Sequence, residues 1–142
     1  MEMMSISVFS SYRRRVLVGA FPSRIRMRGS IREAGASLVL EYRESWRDPA
    51  TLQTKEGPLR RAEVDRSRLA TIEVRRGWFG RATLVLRAGE FEALRGWPGA
   101  RGDVCTLRID RSAGSLHLEA ASELALSIAD EQLRALERPR DG

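Results

Sequence analysis

The stretch Ser122-Glu-Leu-Ala-Leu-Ser-Ile-Ala-Asp-Glu-Gln-Leu-Arg-Ala-Leu-Glu137 has the pattern of an amphipathic helix. Ser122 can cap its first turn, Glu123 lies where the helix dipole favours an acid, and Pro139 ends it. At about 100° per residue, its apolar side chains cover a broad arc that we expect to be buried. The arc comprises Leu124, Ile128, Ala129, Leu133 and Leu136. An alternative interpretation makes Leu124, Leu126 and Ile128 part of a further strand.

Upstream of this helix the hydrophobic pattern changes to a period of two, which is typical of β-strands. The alternation is strictest from Arg24 to Arg32, where Ile25, Met27 and Ile31 share one face. The seven predicted strands are 24–32, 37–43, about 59–65, about 69–76, 82–87, 104–110 and 115–120. Only alternation and Gly114 favour the last of them, because Leu, Ala and Glu prefer helix. Ile6 and Val8 are compatible with an added edge strand in a frayed N-terminal segment.

Two hairpins can be docked from the same pattern. A two-residue turn at Ala34-Gly35 aligns the first pair of strands, and a tip at 77–80, within a loop that must have an odd number of residues, aligns the pair 69–76 and 82–87. The predicted cross-strand neighbours are Ile31 with Leu38, Met27 with Tyr42, Arg28 with Glu41, Val74 with Leu84, and Ile72 with Leu86. After a turn at 111–114, Ile109 would meet Leu116. Strands followed by one helix predict a small barrel with the helix plugging one end.

This order resembles the pleckstrin-homology-like superfamily, in particular its small bacterial members. The passages that carry the resemblance are 31–42, similar to the opening hairpin, 63–74, similar to the join of the third and fourth strands, and the terminal helix. The resemblance implies a mainly β fold, a PH-like seven-stranded antiparallel barrel or sandwich capped by a C-terminal helix. The domain would cover 24–138, with 1–23 a partly frayed N-terminal segment and 139–142 a tail.

The resemblance also implies a binding function, because members bind phosphoinositides, peptides or proteins. Arg32 and Arg43 fall near the places where phosphoinositide-binding members carry basic residues. The intervening loop, 33–37, departs from that pattern, since it is short, starts with an acid and lacks lysine.

Charge and cysteine content narrow the function classes. The net charge is +6, and all 25 basic residues except Lys55 are arginines, which bind phosphates and carboxylates bidentately. No apolar run reaches the roughly 20 residues of a membrane span, and the N-terminus lacks the order of a secretory signal. Cys105 is the single cysteine, and no histidine lies beside it to activate a thiolate. We therefore interpret Cys105 as a small buried apolar residue. We expect a cytoplasmic protein with no cofactor, no metal and no catalytic residues.

The first candidate site is a row of arginines on the outward face of strand 24–32. Arg24, Arg26, Arg28 and Arg32 would lie about 6–7 Å apart and could follow an anionic membrane or a phosphate backbone. The alternative is that these arginines only pair with Glu41 and Glu44.

The second candidate site is the hairpin tip, where two aromatic residues are flanked by arginines. Its residues are Arg75, Arg76, Trp78, Phe79 and Arg81. Such a tip could insert into a membrane interface or stack on nucleic-acid bases. The alternative is that one of the two rings folds back over the end of the barrel. We expect Phe91, Leu94 and Trp97 to form another lid over the core. His117, on the predicted seventh strand opposite Arg108, reads as a surface residue.

The sequence therefore predicts a non-enzymatic binding module for a protein partner or an anionic membrane surface. The alternative is a nucleic-acid-binding small β-barrel that uses the arginine row with Trp78 and Phe79. A further alternative, an enzyme subunit, has no supporting motif in the sequence.

Overall fold

The computed structural model describes residues 5–14, 23–48, 50–77, 81–90, 92–110 and 115–137. Its elements in chain order are β1 (Ile6–Arg14), β2 (Ser23–Ala34), β3 (Ser37–Arg47), β4 (Thr54–Glu56), β5 (Arg60–Asp65), a 3₁₀ turn (Arg66–Arg68), β6 (Leu69–Arg76), β7 (Ala82–Ala88), β8 (Val104–Ile109) and α1 (Ser115–Glu137). The chain is mainly β with one C-terminal helix, as predicted.

The described strands form one open antiparallel sheet of eight strands, one more than predicted. Its order is β4-β3-β2-β1-β8-β7-β6, and β5 pairs with β3 along the same edge as β4. β4 was missed because its three residues are polar and exposed. The strand expected at Ile6 and Val8 is present as β1, but it is an internal strand and not an edge strand, because it pairs with β2 on one side and β8 on the other. Serines dilute its apolar pattern, but Ile6 and Val8 are buried.

The register of β2 with β3 differs from the predicted one by two residues. The turn is Gly35-Ala36, so Ile31 faces Leu40 and Arg28 faces Arg43. Gly35 takes φ +61°, as the first central residue of a two-residue hairpin turn requires. Glycine adopts such a positive φ with less strain than residues that carry a side chain. A shift by two residues leaves every side chain on its predicted face, so the inward pattern of Met27, Ile31, Leu38 and Leu40 holds.

The β6–β7 register is confirmed, with Val74 facing Leu84 and Ile72 facing Leu86. The predicted seventh strand is wrong, because 115–120 forms the first turns of α1. Ile109 therefore pairs with Val8 of β1 and not with Leu116. The alternative strand through Leu124 and Ile128 is also excluded. Helix propensity and a buried i, i+4 pattern outweigh the short-range alternation in this region.

One core joins the inward faces of the sheet to α1. From the helix it takes Ala120, Ala121, Leu124 and Ile128, which pack mainly beside β6 and β1. The predicted burial of Ala129, Leu133 and Leu136 is wrong, since these three side chains are exposed. The buried arc is narrower than the apolar arc because only one side of α1 contacts the sheet. Leu94 and Trp97 are buried as predicted, whereas Phe91 lies outside the described residues.

Candidate anion-binding face

The outward side of β1, β2, β3 and β8 carries a cluster of exposed arginines. Inward and outward residues alternate along these strands, so Ile6, Val8, Ile25 and Met27 fill the core while the arginines between and beside them point out. We call this cluster the arginine face; its members are Arg13, Arg24, Arg26, Arg28, Arg43, Arg47 and Arg108. Three of the four arginines of the predicted row belong to it.

The arginine face holds more arginines than acids, although Glu41 of β3 and Glu56 of β4 lie on the same outward side of the sheet. None of its seven guanidinium groups forms an ion pair with a residue that the structure describes. Arg32, the fourth member of the predicted row, lies on the same outward side of β2 but differs from the others in that it pairs with Glu41 at 2.7 Å. Arginines elsewhere in the described chain commonly have acidic partners, such as Arg61 with Glu63 at 3.5 Å and Arg68 with Glu90 at 3.2 Å. This surface therefore carries an excess of positive charge that the described acids do not neutralise.

The register places like charges directly opposite one another. Arg13 faces Arg24 between β1 and β2, and Arg28 faces Arg43 between β2 and β3. Directly opposed like charges destabilise a sheet by a few tenths of a kcal/mol up to about 1 kcal/mol per pair. The only polar partners of these groups among described residues are uncharged, for example Ser11 Oγ at 3.3 Å from Arg24 Nη2. An external anion would relieve the repulsion.

The predicted alternative, in which the arginines of the row pair with Glu41 and Glu44, is confirmed only for the pair of Arg32 with Glu41. Glu44 is 3% exposed and lies on the inward face of β3. There its carboxylate accepts a hydrogen bond from the Tyr12 hydroxyl and pairs with Arg60 Nε at 3.3 Å. Sequence spacing alone could have shown this, because Glu44 continues the even-numbered apolar face of Leu38, Leu40 and Tyr42. Glu44 is therefore unavailable to the arginine face.

The two candidate sites lie on one line across the sheet. Successive cross-strand partners run from Arg75 through Thr83, Arg108, Phe9 and Arg28 to Arg43. Of the tip residues, Arg75, Arg76 and Arg81 are exposed, and Arg75 pairs with Glu73 at 3.1 Å. Trp78 and Phe79 lie outside the described residues, so their predicted exposure stays a prediction.

An exposed leucine lies beside the arginine face. The turn after β3 is closed by the Asp48 carbonyl, which accepts from Leu52 N at 2.8 Å, and by Asp48 N, which donates to Gln53 O at 2.9 Å. Leu52 is 64% exposed and has φ +58°, an uncommon conformation for a side-chain-bearing residue. Its carbonyl accepts from Arg47 Nε at 3.2 Å. A hydrogen bond from Lys55 to Asp48 lowers the pKa of that carboxyl and favours the charged form that holds the turn.

Two clefts adjoin Arg24 at this end of the sheet. One, of about 660 Å³, is lined by residues of β1, β2 and the 99–101 turn, including Arg13 and Arg101. The other, of about 430 Å³, lies between β2 and the turn after β3 and is lined by Arg26, Arg47 and Leu52 among others. Both clefts are positively charged, because arginines line them and the described residues of their walls include no acid.

The remaining candidate residues have structural contacts. His117 is half-buried on α1, contrary to its predicted place on a strand, and its Nδ1 accepts from Ser7 N at 2.9 Å. Cys105 is buried as expected, its thiol lies 3.5 Å from Pro98 O, and burial raises the pKa of Cys105 to about 12. A neutral, buried thiol is a poor nucleophile.

Within the described ranges, no three His, Cys, Asp or Glu side chains are grouped as they would be around a metal ion. α1, as described over 115–137, is not apolar enough to cross a bilayer. Comparisons with protein-family models, with curated proteins and with solved structures find no match to this chain.

Proposed function

We propose that this protein is a non-enzymatic binding module that attaches to an anionic membrane surface through its arginine face. The observation that carries the proposal is the set of seven exposed arginines on adjacent strands without an acidic partner among the described residues. Each basic side chain near an anionic leaflet contributes about 1 kcal/mol. Several acting together give a strong but salt-sensitive attraction.

Leu52 favours a membrane over a purely ionic partner. Its side chain is exposed beside Arg47 in a turn fastened by two backbone hydrogen bonds and the Asp48–Lys55 pair. An exposed apolar residue beside arginines matches the way interfacial segments combine apolar burial with attraction to lipid phosphates. The predicted insertion of Trp78 and Phe79 into a membrane interface would act in the same sense.

The order of the described elements supports the proposal of a PH-like module. Antiparallel strands precede a single helix, and that helix contributes Leu124 and Ile128 to the core of the sheet. Assignment to the PH-like superfamily remains a proposal that rests on this order and on the spacing of apolar residues.

Vesicle sedimentation tests the membrane proposal. The variant Arg24→Gln/Arg28→Gln/Arg43→Gln removes three charges from the arginine face. The matched control Arg61→Gln/Arg68→Gln/Arg95→Gln removes three charges that have acidic partners elsewhere. With vesicles containing phosphatidylserine, we expect the face variant to bind on the order of 100-fold more weakly, and the control to change little.

Phosphatidylcholine vesicles should bind neither protein strongly, and added salt should weaken the wild type most. Equal losses in the face variant and the control would mean that net charge alone drives association and would refute a specific face.

A nucleic-acid partner is the second candidate, and Phe9 favours it. This ring lies on the outward side of β1 with Arg28 on one neighbouring strand and Arg108 on the other. Aromatic side chains between arginines bind single strands by stacking and phosphate contacts. A gel-shift series with a single-stranded oligonucleotide should then show a loss in Phe9→Ser. Unchanged binding in Phe9→Ser, or binding only at very low salt, would exclude this use of the face.

A further inference from the structure

The C-terminal half of α1 carries an apolar stripe whose side chains do not pack in the core. Leu126, Leu133 and Leu136 are 71%, 60% and 83% exposed, and Ala129 between them is exposed as well. The core is contacted instead by Ala121, Leu124 and Ile128 on the other side of the helix. α1 thus has two apolar surfaces, one buried against the sheet and one open.

The spacing of the open stripe is that of a helix-pairing seam. Its four members follow one another at i, i+3, i+7 and i+10, which are successive a and d positions of a heptad. They run for about 15 Å along the axis. A partner helix laid along this line would insert its own side chains between them.

One margin of the stripe is acidic. Glu119, Glu123, Asp130 and Glu137 follow one another along the helix surface next to the leucines, and all four are exposed. Asp130 pairs with Arg134 at 3.1 Å, while the three glutamates have no ion pair with any described residue. The other margin, with Ala125 and Gln132, is uncharged.

This charge pattern argues against a second copy of the chain as the occupant. In an antiparallel pair the acidic margins of two copies would face each other, and in a parallel pair each acid would face Ala125 or Gln132. Neither arrangement brings a described cation to the glutamates, and two copies at net charge +6 repel one another.

We infer that the stripe docks an amphipathic helix of another protein, one with apolar a and d positions and basic residues along the margin that meets the glutamates. The stripe points away from the core on α1, whereas the arginine face points away from it on the sheet. The two surfaces are therefore independent, and this inference does not rest on membrane binding. A contact of two to three turns is small, so the complex is expected to be transient.

Fluorescence anisotropy with two synthetic peptides tests the inference. Both peptides are amphipathic helices with leucine at a and d; one has arginine and the other glutamate at the flanking positions. The full-length protein should bind the arginine peptide in the micromolar range and the glutamate peptide at least about tenfold more weakly. Glu123→Gln/Glu137→Gln should reduce that difference together with its salt dependence.

Leucine variants locate the contact. Leu126→Gln/Leu133→Gln should weaken binding of the arginine peptide by at least about tenfold. The control Leu59→Gln, which changes an exposed leucine outside α1 and outside the proposed membrane contact, should bind as the wild type does. If the double variant melts early, Leu136→Gln, at 83% exposure, provides the same comparison with less risk to the fold.

Several outcomes would overturn the inference. Equal affinity for both peptides would show undirected hydrophobic adhesion. Self-association of the wild type that disappears in Leu126→Gln/Leu133→Gln would make a second copy the occupant. Loss of vesicle binding in that variant would make the stripe a membrane contact.

A further outcome would support both proposals separately. In it, Arg24→Gln/Arg28→Gln/Arg43→Gln loses vesicle binding but still binds the arginine peptide.

Discussion

At the scale of single residues, Arg66 connects three parts of the molecule. Its side chain is 12% exposed, and its guanidinium pairs with Glu33 at 2.9 Å and with Glu131 at 2.7 Å while donating to Ser127 Oγ at 2.7 Å. The β2–β3 hairpin, the 3₁₀ turn and α1 are thereby joined through one group. Nothing in the sequence marks Arg66 among its many arginines, because its partners lie up to 65 positions away (131 − 66).

Arg66→Met should therefore destabilise the protein by roughly 1–3 kcal/mol, since it removes the buried partner of two carboxylates that are themselves about half exposed. Urea unfolding measures the change. Arg61→Met is the control, because its pair with Glu63 is exposed and such pairs contribute at most about 1 kcal/mol. Similar small losses in both variants would show that Arg66 does not hold α1 to the sheet.

At the scale of elements, α1 shows how an amphipathic pattern can be assigned to the wrong face. The apolar residues of 122–137 cover more than half of the helix surface, and the sheet covers only the side that contains Leu124 and Ile128. The serine and acid that suggested a start at Ser122 lie inside the helix, which begins at Ser115. Helical period was thus readable from the sequence, but the buried face was not.

Ile128→Ala should cost about 2–5 kcal/mol in urea unfolding, as expected for a fully buried aliphatic side chain. Leu133→Ala should cost less than about 0.5 kcal/mol, because Leu133 is 60% exposed and alanine is a good helix former. A large loss for Leu133→Ala would place this leucine in the core and would remove the open stripe.

At the scale of the whole molecule, β1 determines the continuity of the sheet. It lies between β2 and β8, so it joins the β2–β5 strands to the β6–β8 strands, and it contributes Ile6 and Val8 to the core. It also contributes Arg13 and Phe9 to the outward surface. The arginine face is complete only when β1 is in place.

A chain that starts at residue 24 should fail to unfold cooperatively, because β2 and β8 would lose their shared partner and the core two aliphatic side chains. Thermal melting followed by circular dichroism tests this, with a chain that starts at residue 5 as the control. A sharp transition in the shorter chain would mean that β1 is an accessory strand.

The sequence by itself determined the properties that depend on neighbours along the chain. The period of two predicted six strands and their inward faces, and the β6–β7 register followed from the apolar patterns on both sides of a short glycine-bounded tip. The outward orientation of Arg24, Arg26 and Arg28 followed from the same alternation.

Only the tertiary structure decided what depends on distant partners. A period-two pattern specifies which side of the sheet a residue occupies, and a shift of two residues leaves that side unchanged. The pattern therefore could not decide between Arg43 and Glu41 as the neighbour of Arg28. The turn at Gly35, with its positive φ, places Arg28 opposite Arg43. In the same way, the central place of β1 and the exposure of Leu133 depend on which surfaces bury each other. Burial is a sum over contacts between segments far apart in sequence, and no local pattern contains that sum.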